Sequence, residues 1–538
     1  MGAGNRRRFF GIAGTAAVWA AAESDARAAR PAAKAVISNG SVYEVTQFGA
    51  VGDGRTPCTE ALQKAIDACG ASGGGTVVVP PGHYLSGALF LRSHVHLHLA
   101  PGAALVASQR PDDFPTIKGR EEGIERTVHA SLLTGVDLEG VTITGPGTLD
   151  GRGETWWEAF DATWKMRLAA KLPREAENPA GAPLQWPRPR VINLIRCRDV
   201  LVEGLVIKDS PFYDLHFVYC QDVVVHAVST RRRLPLHNTA MIVDSTKRVR
   251  ISDCTLSTGG DGIGIKSGYN EDGRRVGLPS EDILITNCHF MNYGDSGIAI
   301  GSETAGGIRN VAIDNCTITD SLNGVFIRSP RGRGGTVEQI RVTNLVMDRI
   351  TEAAIKVTHF FDSVRMGIIK GGSARRDPEI ARSRKVSVNE GTPTFRNFSF
   401  SGLTLGKVRD LAVIEGLPER FIRGIVLEDI AAAQASAGIS CSLAAEVRIG
   451  NVALNVVESA AIDAREVERL EVHRLSCPRP RPETPVVWLE NVAGAFVHGC
   501  SVGHVGASYE WLHQDQCRSV TLAGNDVPPS PTANCKTL

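Results

Sequence analysis

The strongest constraint on this chain is a degenerate repeat. Its unit is a short alternating strand, a turn and a second alternating strand, as in Cys197 to Ile207. Further copies begin at Cys220, Thr246, Glu281, Ile308 and Glu338, and weaker ones run past Val426, Val447, Val472, Val497 and Val520. Apolar residues at period two, rich in Val and Ile, mean strands with one buried face. A spacing of roughly 22 to 35 residues leaves no room for crossover helices, so the strands are expected to stack coil on coil as a solenoid. The 538 residues are then read as one all-β domain over 42–538, a parallel β-helix, rather than three or four ordinary domains. Abundant glycine, at 56 residues, and only 6% aromatics suit many turns between short stacked strands.

An open solenoid end is an aggregation edge. Residues Thr59 to Cys69 are expected to form a capping helix, with Ala61, Leu62, Ala65 and Ile66 on one face. Ser72, Gly73, Gly74 and Gly75 then stop it. Strands are expected at Val77 to Val79, Leu89 to Leu91 and Val95 to Leu99. Two inserts interrupt the repeat. Residues 152–190 hold Trp156, Trp157, Trp164 and Trp186, and residues 363–391 are rich in Arg, Gly and Ser. The tryptophans have two open readings: stacking platforms for sugar rings, or anchors for the loop.

The first 28 residues are expected to be an export signal of the twin-arginine type, followed by a linker over 29–41. Arg6 to Arg8 precede a short apolar stretch from Phe9 to Ala22, and Ala26-Arg27-Ala28 offers a small-x-small cleavage site. A periplasmic or secreted protein follows, with no membrane partner. The net charge of +1 argues against nucleic acid. Most of the 12 cysteines, including Cys197, Cys220, Cys254, Cys288 and Cys316, fall in strand segments and are read as small buried hydrophobes. Pairing among Cys500, Cys517 and Cys535 stays open.

Several blocks resemble a known family. They are Phe48 to Gly54, Ala65 to Cys69, Gly73 to Gly82, Ile143 to Trp157, Arg188 to Arg190, Ser210 to Phe212 and Ser267 to Gly277. Together they are similar to glycoside hydrolase family 28, the polygalacturonases, and Ser267 to Gly277 most resembles the bacterial exo-acting branch. The resemblance runs from about residue 42 to about residue 405. It implies a right-handed parallel β-helix with a cleft along one sheet. It also implies hydrolysis of α-1,4-linked galacturonate polymers with inversion, without metal or cofactor. Inversion needs one carboxylic acid and one or two carboxylates that activate water.

The family's four site motifs are altered here. Asn-Thr-Asp reads Asn238-Thr239-Ala240, Gly-Asp-Asp reads Gly259-Gly260-Asp261, Gly-His-Gly reads Gly294-Asp295-Ser296, and Arg-Ile-Lys reads Phe326-Ile327-Arg328. The acid's position is thus Gly260, and a glycine donates no proton. One reading is a rebuilt glycosidase. Asp261 and Asp295 fall in neighbouring coils, about 4.8 Å apart, where mutual repulsion keeps one protonated. A carboxyl separation of about 5 Å would favour retention. Substrate contacts are then expected from Asn238, Lys266 and Arg328, the last gripping a uronate carboxylate, while Phe326 suits a neutral or deoxy sugar. The second reading is a sugar-binding protein without turnover, with Arg274, Arg275, Arg331 and Arg333 as further cations. The third is a lyase or epimerase using Arg328 or His237. The expected partner is an acidic polysaccharide or oligosaccharide, and the expected assembly a monomer.

Overall fold

The structure, a computed structural model, describes residues 41–527 except 173–175, 232–237, 293, 362–383, 457, 482 and 504–510. The expected signal, linker, His237, Cys535 and most of the second insert lie outside the described residues.

The chain is a right-handed parallel β-helix in which three ladders of parallel strands run along one axis. The first ladder begins Gly75–Val79, Val95–Leu99, Glu139–Thr144, Arg198–Glu203 and Gln221–His226. Its register stacks like on like: Val141 pairs with Val200, Val223, Val249, Ile283, Val311 and Ile340 in successive coils. These side chains, with the matching rows of the other two ladders, form one continuous core. Period-two alternation in the sequence is therefore the division between that core and the outer surface.

The bend between the first and second ladders is made the same way in coil after coil. One residue takes the left-handed conformation: Gly204 (φ 77°), Ala227 (53°), Asp253 (58°), Asn287 (55°), Asn315 (51°) and Asn344 (56°). Asn and Asp tolerate that region better than other side chains, and their amides also bond along the stack. Asn315 Nδ2 donates to Asn287 Oδ1 (2.8 Å), and Asn287 Nδ2 to Asp253 Oδ1 (3.3 Å). Cys254, Cys288 and Cys316 follow these bends, Cys197 and Cys220 follow left-handed Arg196 and Tyr219 just before first-ladder strands, and all five are buried, as the repeat predicts. Cys500 and Cys517 are unbonded among the described residues.

Helix α1 (Thr59–Ala71) caps the N-terminal end, burying Leu62, Ala65, Ile66 and Cys69 against the first coils. The first insert contains a helix that the sequence pattern did not show, α2 (Glu154–Ala169). Two of the insert's tryptophans anchor it to the barrel. Trp156 is buried edge-on against Phe114 and His129, and Trp157 Nε1 donates to Ser210 O (3.0 Å). Trp164 and Trp186 stay exposed. A third helix, α3 (Asn270–Val276), follows the third ladder's Ile263–Lys266 strand. Among the described residues, no helix is long and apolar enough to cross a membrane.

Replacing Asn315 by Ala puts a β-carbon without local hydrogen bonds at φ 51°. The expected cost is about 1–2 kcal/mol, seen as an earlier urea unfolding midpoint, whereas Asn315→Gly is expected to cost less.

Candidate active site

The outward face of the third ladder carries the candidate site. Its relevant strands are Ile192–Ile195, Leu215–Val218, Met241–Asp244, Ile263–Lys266, Ser296–Gly301 and the second half of Thr317–Arg328. Asp261 and Asp295 sit just before two of these strands, and Arg328 ends a third. The register sets Ile263 beside Ile298 and Ile300 beside Ile327, so the three side chains come from adjoining coils.

They converge. Arg328 Nη2 donates to Asp261 Oδ2 (2.8 Å), and Nη1 donates to Asp295 Oδ1 (3.4 Å). Ser296 touches both carboxyls: its backbone N–H donates to Asp261 Oδ1 (3.3 Å) and its hydroxyl to Asp295 Oδ1 (3.0 Å). Asp261 and Arg328 side chains are each 5% exposed, and Asp295 13%. The guanidinium also lies against the rings of Phe326 and Phe361, 4.7 and 4.6 Å from their centroids. One cation between two largely buried carboxyls favours retention of one proton, because two carboxylates would leave a net negative charge out of water. Burial pushes Asp261 up to about 7 against the pull of Arg328, and the charge of Asp295 adds to the rise.

Arg328 therefore does not stand free to grip a uronate, as expected from sequence; it bridges the two carboxyls. Asn238 is a second correction. It is fully buried, its Nδ2 donates to Ser210 O (3.2 Å) and its Oδ1 accepts from Arg188 Nη1 (3.3 Å). It pins a turn and offers substrate no contact. Phe326 is buried under Phe361 and Arg328, not an open subsite wall. Lys266 lies on the same face, paired with Glu303 (2.9 Å). The other cations are engaged too: Arg274 and Arg275 with acidic side chains, Arg331 with Glu419, and Arg333 with Asn270 and the Tyr269 ring.

The position where the resemblance puts the acid, Gly260, is closed by backbone. A β-carbon at Gly260 would meet Asn238 O at 2.8 Å, and Gly260 N donates to that same oxygen (2.9 Å). A carboxyl side chain there requires the Asn238 turn to move. Sequence reasoning missed a further buried set on this face: Asn193, His216, Asp244, Glu303 and, from the antiparallel hairpin Thr116–Glu121/Ile124–His129, Arg120. The available signal was a polar residue at an outward position inside an apolar run, as at Asp244 after Met241-Ile242-Val243. No group of three metal-ligating side chains occurs among the described residues.

Comparison with known proteins gives likenesses to the same family. The sequence model described as "Glycosyl hydrolases family 28" matches residues 116–366, and one described as "Rhamnogalacturonase A/epimerase, pectate lyase-like" matches residues 42–104. A "Probable polygalacturonase" of Vitis vinifera is 33% identical over 313 residues, covering 56% of this chain and 60% of its own length. The match thus spans only about three fifths of that relative. An "Exo-poly-alpha-D-galacturonosidase" of Dickeya chrysanthemi is 27% identical, with 69% of each chain covered. The crystal structure of a hyperthermoactive exopolygalacturonase from Thermotoga maritima superposes with a TM-score of 0.62 at 28% identity, covering 74% of this chain and 90% of that one.

The site electrostatics have a measurable consequence. Asp261 holds its proton more tightly folded than unfolded, so its contribution to stability is full below its ordinary 3.8 and is lost as pH rises through about 7. Arg328→Met removes the balancing cation and is expected to steepen that loss. The variant should be destabilised by about 3–5 kcal/mol in mildly alkaline buffer, and by clearly less in mildly acidic buffer, in paired denaturant titrations. Residues 116–366 match glycosyl hydrolases family 28, and the chain carries a β-helix like that of an exopolygalacturonase beyond them.

Proposed function

We propose that the protein hydrolyses glycosidic bonds in a uronate-containing, pectic polysaccharide or oligosaccharide. The observation that carries this reading is the convergence of Asp261 and Asp295 on Arg328, at the positions where the family's site motifs fall. Two carboxyls with one proton between them supply the acid and the base that glycoside hydrolysis needs. Asp261, protonated up to about pH 7, donates to the leaving oxygen. Asp295, the more exposed of the two, acts on the other face, activating water or attacking carbon directly. Arg328 stays with the carboxylate that the proton leaves behind. Export through the twin-arginine route, from the reading of residues 1–28, belongs to the same proposal and places the enzyme where such polymers occur.

A second reading has its own observation. The backbone of Asn238 occupies the space of the family's acid, which favours a sugar-binding protein without turnover. Reducing-end assays on polygalacturonate, xylogalacturonan and rhamnogalacturonan fragments separate the two. New reducing ends without ultraviolet-absorbing unsaturated product are expected; their absence on every fragment, with sugar binding retained in calorimetry, leaves the binding protein.

For an active enzyme, Asp261→Asn and Asp295→Asn are each expected to lower kcat by about 10²–10⁴-fold. The far-ultraviolet dichroism should not change, since both groups lie outside the core. In the wild type, kcat should fall as pH rises through about 7, where Asp261 loses its proton. A rate that climbs through that region would remove Asp261 from the acid role.

A further inference from the structure

Two cations share the Phe326 ring. Arg328 Cζ lies 4.7 Å from the ring centroid and Lys356 Nζ lies 5.1 Å from it. Lys356 stands one rung beyond Phe326 on the third ladder, paired with it in register. Its chain neighbours Ile355 and Val357 enter the core, so the ammonium faces outward, on the same face as the carboxyl pair.

The cations of this face differ in how firmly they are held. Arg328 is 5% exposed and bridges Asp261 and Asp295. Lys266 is 10% exposed, and its partner Glu303 only 1%. Lys356 is 27% exposed, and it pairs at 3.3 Å with Glu352, four residues earlier and itself 33% exposed. A pair so open to water adds little to stability and exchanges readily. Taking a carboxylate away from Arg328, by contrast, would leave a buried charge uncompensated. Asp410 also feels the charge of Lys356, but Arg409 matches it at 3.1 Å. A carboxylate arriving from solvent therefore has Glu352 as its competitor for the ammonium, and a point charge on a flexible four-carbon stem can turn to meet it.

We propose that Lys356 is the residue that selects for a uronate: its ammonium grips the carboxylate of a sugar lying one coil beyond Arg328, in exchange for Glu352. The assignment rests on the pectic reading above. It moves the uronate contact expected of Arg328 along the ladder by one coil, about 4.8 Å, and leaves Arg328 to the two aspartates.

The test is titration calorimetry on the full chain with a sulfur-linked digalacturonate, which is not hydrolysed, and with its dimethyl ester, which has no charge to grip. The wild type is expected to bind the acid more tightly than the ester. Lys356→Met should weaken binding of the acid at least about tenfold and of the ester less than about twofold, with Tm little changed. Lys356→Arg, which keeps the charge, should hold most of the affinity. Glu352→Gln, which removes the competing carboxylate, should tighten the acid by up to about fivefold. Unchanged affinity of Lys356→Met for the acid overturns the proposal. So do equal losses on both ligands, which would mark Lys356 as packing for Phe326, and weaker acid binding by Glu352→Gln. A wild type that binds neither ligand, or that favours the ester, overturns it as well. Because binding is the readout, absence of turnover on every pectic substrate with this pattern intact would sink the hydrolase reading and leave Lys356 as assigned.

Discussion

Everything in this molecule depends on the register between successive coils. A parallel ladder with a side-chain period of two admits no half measures: a slip of one residue in any coil turns its core row outward and its outward row inward. Two devices hold that register. The core row repeats similar volumes, as from Val141 to Ile340, so neighbouring coils fit only in step. The bend between the first and second ladders is set by one left-handed residue per coil, and the Asn and Asp side chains at that bend bond to one another along the axis. The outward rows inherit this alignment. Asp261, Asp295 and Arg328 meet because their coils are in step, although 67 positions separate the outer two.

At the site the governing term is charge balance out of water. A guanidinium between two carboxyls is stable when the trio is neutral, which means one proton on the pair. The same chain that lacks a carboxyl at Gly260 carries one at Asp295, and an arginine where the family's motif has lysine. The planar guanidinium reaches both carboxyls at once, which a point-charge ammonium on a single direction does less well. Phe326 and Phe361 hold its flat faces. The residues at these positions are thus mutually consistent: Phe326 packs Arg328, and Arg328 balances Asp295.

The fold was legible because its signal is repeated. Each coil is a weak statement about strands, but many agree. The capping helix, the buried cysteines and the strands from Gly75 to Leu99 followed from local pattern alone. Helix α2 did not, because a tryptophan-rich helix lying on a solenoid has no single apolar stripe; it buries only Trp156 and Thr163. The roles of Asn238, Arg328 and Phe326 were misread for a common reason. Sequence names a side chain's chemistry, whereas burial and partners decide whether that chemistry is available. Asn238 meets Ser210 and Arg188, and Arg328 meets Asp261 and Asp295, across separations in the chain that no local pattern links.

By itself, then, the sequence determined the strand period, the coil spacing, the cap and the altered motif residues, since these rest on local geometry and on residue identity. The tertiary structure decided which charges pair, and that backbone closes the space beside Gly260. The physical reason is range. Periodicity is written in neighbours two residues apart, while the electrostatics of a buried site is the sum over groups that only the stacked coils bring within a few ångströms of each other.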